Sequence, residues 1–160
     1  MVYTTIGEEV ATVCLVDGNG NVLIKENIKP MGVVTDYRTP FSGLTESELN
    51  EAVYSASEIL KKMQDYIGPD TIIVGHGIDN DLLSLRIVHS NVVDTGLVRP
   101  LVSYTGTNRR KSLASRVQDA FNEDITVRAK GGPRNKAAED AQYAMALARV
   151  DAASDPAARV

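Results

Sequence analysis

The sequence has no tryptophan, two phenylalanines and one cysteine in 160 residues. A single thiol, Cys14, excludes an internal disulfide and a cysteine-based metal cluster, and it suits a reducing compartment. It reads as a small buried hydrophobe. No apolar run approaches the roughly 18 residues of a membrane span, and Met1-Val2-Tyr3-Thr4-Thr5 lacks the basic and apolar regions of a secretory leader. A soluble intracellular protein, nuclear or cytoplasmic, with no membrane partner is expected. Excess basic charge is also lacking: the net charge is −4 and the pI about 5.2, so any polyanionic partner must be held by a local patch. Internal repeats and low-complexity segments are absent as well.

Apolar residues make up 43% of the chain, enough for one domain with a real core and too little length for two. Met1 to Thr5 reads as a brief strand and Val10 to Val16 as a stronger one. The cluster Asp17-Gly18-Asn19-Gly20-Asn21 supplies the positive φ values of a hairpin turn, which predicts an antiparallel return over Val22 to Ile28. Lys29-Pro30 ends it, and a loop is expected through Leu44, with Glu8 and Glu9 likewise in a loop. Thr45-Glu46-Ser47-Glu48 forms a capping box. The apolar positions Leu49, Ala52, Val53, Ala56, Ile59, Leu60, Met63 and Ile67 recur every three or four residues, predicting one core-facing helix that stops at Gly68-Pro69.

The run Thr71 to Val74, the turn Gly75-His76-Gly77, the segment Ile78 to Leu85 and the run Val92-Val93-Asp94-Thr95 form a βαβ pattern. Ligands in such sheets bind at the carboxyl ends of the strands, which singles out Asp81 near the start of the helix. Asp79 fits an acid favoured at a helix N-terminus, and His76 and His89 fit structural braces. A polar loop over Arg99 to Lys111, a helix over Ser112 to Ala120, a loop over Asn122 to Asn135 and a last helix over Lys136 to Val150 complete the order. The domain is expected to span 1–151, followed by a frayed tail over 152–160. Two basic clusters, Arg109-Arg110-Lys111 and Arg128, Lys130, Arg134, Lys136, have no acid between their members. They fit either solvated loops or contacts to a phosphodiester backbone, for which Tyr37, Phe41 or Tyr104 would supply base stacking.

Asp36-Tyr37-Arg38-Thr39 with Ser42-Gly43-Leu44-Thr45, Gly75-His76 with Asp81, Val92-Val93-Asp94-Thr95 and Ala138-Glu139-Asp140-Ala141 occur in an order and spacing that resembles the eukaryotic RNA exonuclease branch of the DEDDh 3′ to 5′ exonucleases. The likeness covers about residues 1–150. It implies a ribonuclease-H-like α/β fold: a five-stranded mixed sheet, an antiparallel meander plus parallel strands, flanked by helices. It also implies four carboxylates holding two Mg²⁺ or Mn²⁺ ions, and a histidine that deprotonates the attacking water. Carried over, Asp81 and Asp140 match two of the metal-binding carboxylates, and His76 and Asp94 support them from behind.

The rest of the pattern departs. The family's Asp-x-Glu would fall before Met1, which also shortens the first strand. The position of the general base holds Asn135, whose amide does not titrate in the useful range. The resemblance with these departures implies a degenerate exonuclease that binds RNA or a protein partner, with weak or absent metal binding. The alternative is an active metal-dependent 3′ to 5′ RNA exonuclease whose Asp-x-Glu lies upstream. Arg109, Arg110, Lys111, Arg134 and Lys136 are the candidate RNA contacts, and the shortened strand leaves an edge open to a homodimer or another chain.

Overall fold

The computed structural model describes residues 1–97, 110–125 and 136–154. The chain opens with a tight hairpin, β1 (Val2–Thr4) against β2 (Gly7–Glu9), and β1 pairs on its other side with β5 (Val34–Asp36). Glu8 and Glu9 thus lie in a strand and not in the expected loop. Glu9 earns that place from its carboxylate, which accepts the Met31 and Gly32 N–H groups at 2.9 Å each and ties the hairpin to the next connection.

β3 (Thr12–Val16) and β4 (Val22–Asn27) form the predicted antiparallel pair. Their turn is set by Asp17, whose Oδ1 accepts from the Asn19 and Asn21 N–H groups at 2.8 and 2.9 Å. β6 (Ile73–Gly75) and β7 (Val92–Asp94) are parallel, joined by α4 (Ile78–Ser84) as the βαβ pattern requires. The fold is mixed α/β with antiparallel and parallel ladders flanked by helices, as expected. Its hydrogen-bonded strands fall into three separate ladders, β2-β1-β5, β3-β4 and β6-β7.

The predicted long helix is two helices. α2 (Glu46–Asn50) starts at Thr45 with both halves of the capping box formed, and α3 (Ala56–Met63) starts at Ser55 with a second one closed by Glu58. Between them the chain is extended: Tyr54 bridges Ile28, its carbonyl accepts the Lys29 N–H at 2.8 Å, and Val53 is 76% exposed. A three-to-four spacing of apolar residues survives a break of this length, so periodicity alone joined what the Ser55 cap divides. The expected loop before Thr45 also carries a short helix, α1 (Thr39–Ser42).

One core cluster joins Val13, Ile24 and Ile28 of the hairpin to Ile59 and Met63 of α3 and to Leu85; a second joins Val2, Ala11, Leu44 and Leu49. α5 (Leu113–Phe121) packs on α6 (Lys136–Ala153), which itself lies against both β3 and β6. α6 continues past the expected Val150 to Ala153, and Asp151 near its end is buried and paired with Arg116 at 2.6 Å. The two side chains are 4% and 12% exposed, so removing one partner strands a buried charge. Asp151→Ala should therefore destabilise the fold by about 3–5 kcal/mol, read as a lowered midpoint in urea; a change within the noise of an ordinary surface substitution would show that the pair is not buried in solution.

Candidate functional site

The turn from β6 into α4 is fixed by its neighbours. Gly75 has no room for a side chain, since a Cβ there would come within 2.5 Å of Ile78 Cδ1. Gly77 caps α4 with φ at +67°, a conformation that favours glycine. The Asp94 carboxylate, 8% exposed, accepts the Gly77 and Gly96 N–H groups through Oδ1 at 2.9 and 2.8 Å. Its other oxygen lies 3.5 Å from the Arg110 guanidinium. Asp94 thus braces the backbone beneath α4.

His76 has the same kind of role. Its Nε2 lies 2.9 Å from the Lys111 carbonyl oxygen, and its Nδ1 lies 3.0 Å from the Thr95 hydroxyl. A carbonyl only accepts, so Nε2 carries a proton; the Thr95 hydroxyl lies within hydrogen-bond reach of both Nδ1 and the Gly75 carbonyl oxygen, the latter at 3.1 Å. Both ring nitrogens of His76 are thus engaged by protein groups. His89 is also structural, Nε2 donating to the Thr71 carbonyl at 2.6 Å.

Asp81, one turn into α4, and Asp140, in the first turns of α6, meet in a cavity of about 410 Å³ that Met1, Ser42, Phe41 and Lys136 also line. The two acids come from helices far apart in sequence, and they meet because α6 crosses β6. Both residues are exposed to solvent, yet enough protein crowds their carboxyls to disfavour the charged form. Burial raises the Asp81 carboxyl, opposed by the Met1 ammonium and reinforced by Asp79 and Asp94. Burial likewise pushes Asp140 up to about 6, opposed by Lys136 and reinforced by Glu139 and Asp81. The cavity therefore holds two acids with too little positive charge beside them.

The basic residues divide. Lys136 lines the cavity and donates through Nζ to the Pro40 carbonyl at 2.8 Å. Arg110 is paired with Asp79 at 2.8 Å and holds that carboxyl below its ordinary range. Lys111 is paired with Asp119 at 2.7 Å. Acids absent from the linear cluster thus reach it in space. Such exposed pairs are worth about 0–1 kcal/mol each, so a phosphate can compete for either cation. Arg109, Arg128, Lys130, Arg134, Asn135 and Tyr104 lie outside the described residues.

Two features escaped the sequence. The Met1 ammonium stands near Asp81, and burial lowers its pKa. Arg38, with φ at +51°, has its guanidinium carbon 5.0 Å from the Tyr3 ring centre and 5.7 Å from that of Phe41, which is 74% exposed. Of the two described aromatic candidates, Phe41 lines the cavity and Tyr37 packs on the second core cluster.

Two carboxylates do not fit a pair of divalent cations, each of which takes about six or more oxygen ligands. Among the described residues no group of three or more His, Cys, Asp or Glu is placed to hold a metal ion.

No family model matches the chain. It is 33% identical over 147 residues to human RNA exonuclease 1 homolog, covering 92% of this chain and 12% of that protein. It is 31% identical over 147 residues to human putative exonuclease GOR, covering 92% and 21%. Bovine RNA exonuclease 5 is 32% identical over 149 residues, 93% of this chain and 18% of that one. The chain thus spans between about an eighth and a fifth of these relatives. Among solved structures, the Neurospora crassa Pan2 catalytic unit superposes with a TM-score of 0.76 at 24% identity, covering 92% of this chain and 25% of that one. The Saccharomyces cerevisiae Pan2 module, solved in complex with AAGGAA RNA, gives 0.73 at 19% identity over 89% of this chain and 24% of its own. At these identities the likeness establishes a shared ribonuclease-H-like fold.

The raised Asp140 carboxyl makes a signed prediction. Folding disfavours its charged form, so the penalty is absent below the ordinary carboxylate range and complete above about pH 6. Solvent at its exposed edge limits the effect to about 1 kcal/mol. Asp140→Asn should raise Tm by roughly 2–4 °C at pH 7.5 and leave it unchanged at pH 3.5. An equal shift at both pH values would show that charge is not its cause.

Proposed function

The chain belongs to the DEDDh-type exonuclease family, on its RNA exonuclease branch, and from that premise we propose that residues 1–160 form an RNA-binding domain of exonuclease fold that is degenerate in hydrolysis. The observation that carries this reading is the cavity itself: it gathers two acids, a lysine and an exposed phenylalanine, and the histidine beside it has both nitrogens engaged. Binding and positioning need only the first set. Hydrolysis needs a proton acceptor for the attacking water and charge stabilisation at the leaving oxygen.

In this reading the 3′ end of a single strand enters at Phe41, whose face takes a base, while Lys136 meets the adjacent phosphate. Arg110 and Lys111 exchange their carboxylate partners for phosphates further along the strand. Asp81 and Asp140 oppose a phosphate so long as both are ionised, and a divalent cation of the Mg²⁺ or Mn²⁺ type would relieve that repulsion where further ligands are supplied. With Asn135 in the place of the family's base, no residue of this set takes up the proton of a water.

A second reading has one specific observation behind it. Met1 lines the cavity and its ammonium acts on Asp81, so acidic residues joined ahead of Met1 would stand beside the same two carboxylates. Such a chain would be an active 3′ to 5′ exoribonuclease.

Three versions distinguish the readings on a 5′-labelled single-stranded RNA with Mn²⁺: residues 1–160, the same chain with Asp-Cys-Glu placed before Met1, and that extended chain with Asn135→His. The first should leave the RNA intact and the third should shorten it from the 3′ end. The second should lag the third by about 10²- to 10⁴-fold, the usual worth of a general base. Shortening by residues 1–160 near the rate of the third version would overturn degeneracy, and equal rates for the second and third would establish the active reading. Separately, Phe41→Ala should weaken binding of the same RNA by roughly 5- to 100-fold, the range of one stacked base; unchanged affinity by fluorescence anisotropy would remove the base from that ring.

A further inference from the structure

The chain enters α5 through Arg110-Lys111-Ser112, three exposed residues outside any helix or strand. Their backbone is anchored, because the Lys111 carbonyl accepts from His76 Nε2 at 2.9 Å. Ser112 is the N-cap of α5. Its backbone is extended, with φ at −64° and ψ at 156°, and its hydroxyl oxygen accepts the Ser115 N–H at 3.2 Å.

The residues ahead of this hydroxyl set it apart. Arg109, Arg110 and Lys111 directly precede Ser112, and no other serine or threonine of the chain has two basic residues among the three before it. Basic residues in those places are what an acidic substrate groove of a protein kinase selects by charge, and an exposed, extended segment is the form such a groove takes hold of. The fold also accommodates the product. A phosphoserine here sets about −1.5 to −2 charges at the N-terminus of a nine-residue helix, where the macrodipole favours negative charge. Two cations stand beside it. Arg110 is paired with Asp79 and Lys111 with Asp119, and every member of both pairs is at least 40% exposed. Pairs this exposed are weak, so a phosphate on the adjacent residue competes for both cations.

We propose that Ser112 is the acceptor of a basophilic serine/threonine kinase and that its phosphate withdraws Arg110 and Lys111 from RNA. The Ser112 Oγ attacks the γ-phosphorus of ATP; a new O–P bond forms as the bond to the β,γ-bridging oxygen breaks, the hydroxyl proton passes to the kinase's catalytic aspartate, and ADP leaves. The phosphate then meets the Leu113 and Ala114 N–H groups, which the first turn of a helix leaves without intrahelical partners, together with the two cations. It also presents negative charge to a phosphodiester approaching the same strip. The effect on RNA rests on the reading of the domain as an RNA binder; the acceptor site does not.

The test treats residues 1–160 and a Ser112→Asn variant with a purified basophilic kinase and Mg-ATP. Asparagine keeps the N-cap and takes no phosphate. Mass spectrometry should place phosphate on Ser112 of the unsubstituted chain. By fluorescence anisotropy the phosphorylated chain should bind the single-stranded RNA about tenfold or more weakly, while treated Ser112→Asn binds as the untreated chain does. The slope of log affinity against log salt should become shallower by about 0.7 for each cation withdrawn, roughly 1.4 for both. Failure to phosphorylate Ser112 overturns the proposal, as does a phosphorylated chain whose affinity and salt slope are unchanged. An untreated chain that binds no RNA overturns the RNA-binding reading instead. In that case slower amide exchange at Ser115 after phosphorylation upholds the phosphate at the α5 cap, and unchanged exchange overturns it.

Discussion

The Asp94 carboxylate is the contact on which the site depends. By accepting the Gly77 and Gly96 N–H groups with one oxygen it fixes both the end of β7 and the cap of α4. The direction of α4, and so the place of Asp81, follows from that pin. A buried carboxylate that receives two backbone donors and faces a guanidinium is well satisfied. Thr95, the next residue, carries the constraint outward: its hydroxyl meets His76, and His76 reaches the Lys111 carbonyl at the entrance to α5. One strand end thereby fixes a helix cap, a ring orientation and the start of another helix. His76 and Asp94 are the residues that hold the turn.

Much of this was legible because it is local. Asp17 with its glycines and asparagines specified the hairpin, Thr45 with Glu48 specified a helix start, and the run from Thr71 to Thr95 specified a parallel unit. The family resemblance singled out Asp81 and Asp140, and both line one cavity. What was not legible is tertiary. Nothing in Gly7-Glu8-Glu9 announces a strand, because its support comes from the Met31 and Gly32 backbone, more than twenty residues away. The break between α2 and α3 was written in Ser55 and Glu58, yet apolar spacing outweighed it, since a stripe with a period near 3.6 does not register one extended turn. The basic cluster at Arg110 and Lys111 looked free of acids because Asp79 and Asp119 reach it only in the fold.

The charge balance of the cavity rests on Met1 and Lys136. In residues 1–160 the Met1 ammonium is the cation nearest in effect to Asp81, and Lys136 has that place for Asp140. An ammonium and a lysine partly balance two carboxylates, which is why a pocket with so many apolar walls tolerates the pair. Crowding by those walls lowers the effective dielectric around the acids, so the repulsion between Asp81 and Asp140 is greater there than it would be in open water. Among the described cavity-lining residues Lys136 is the one lysine or arginine side chain, and it is also tied to the Pro40 carbonyl. The same walls that give the cavity its apolar character therefore make its two acids costly to keep ionised, and the charge state of the pair is set by packing as much as by its cations.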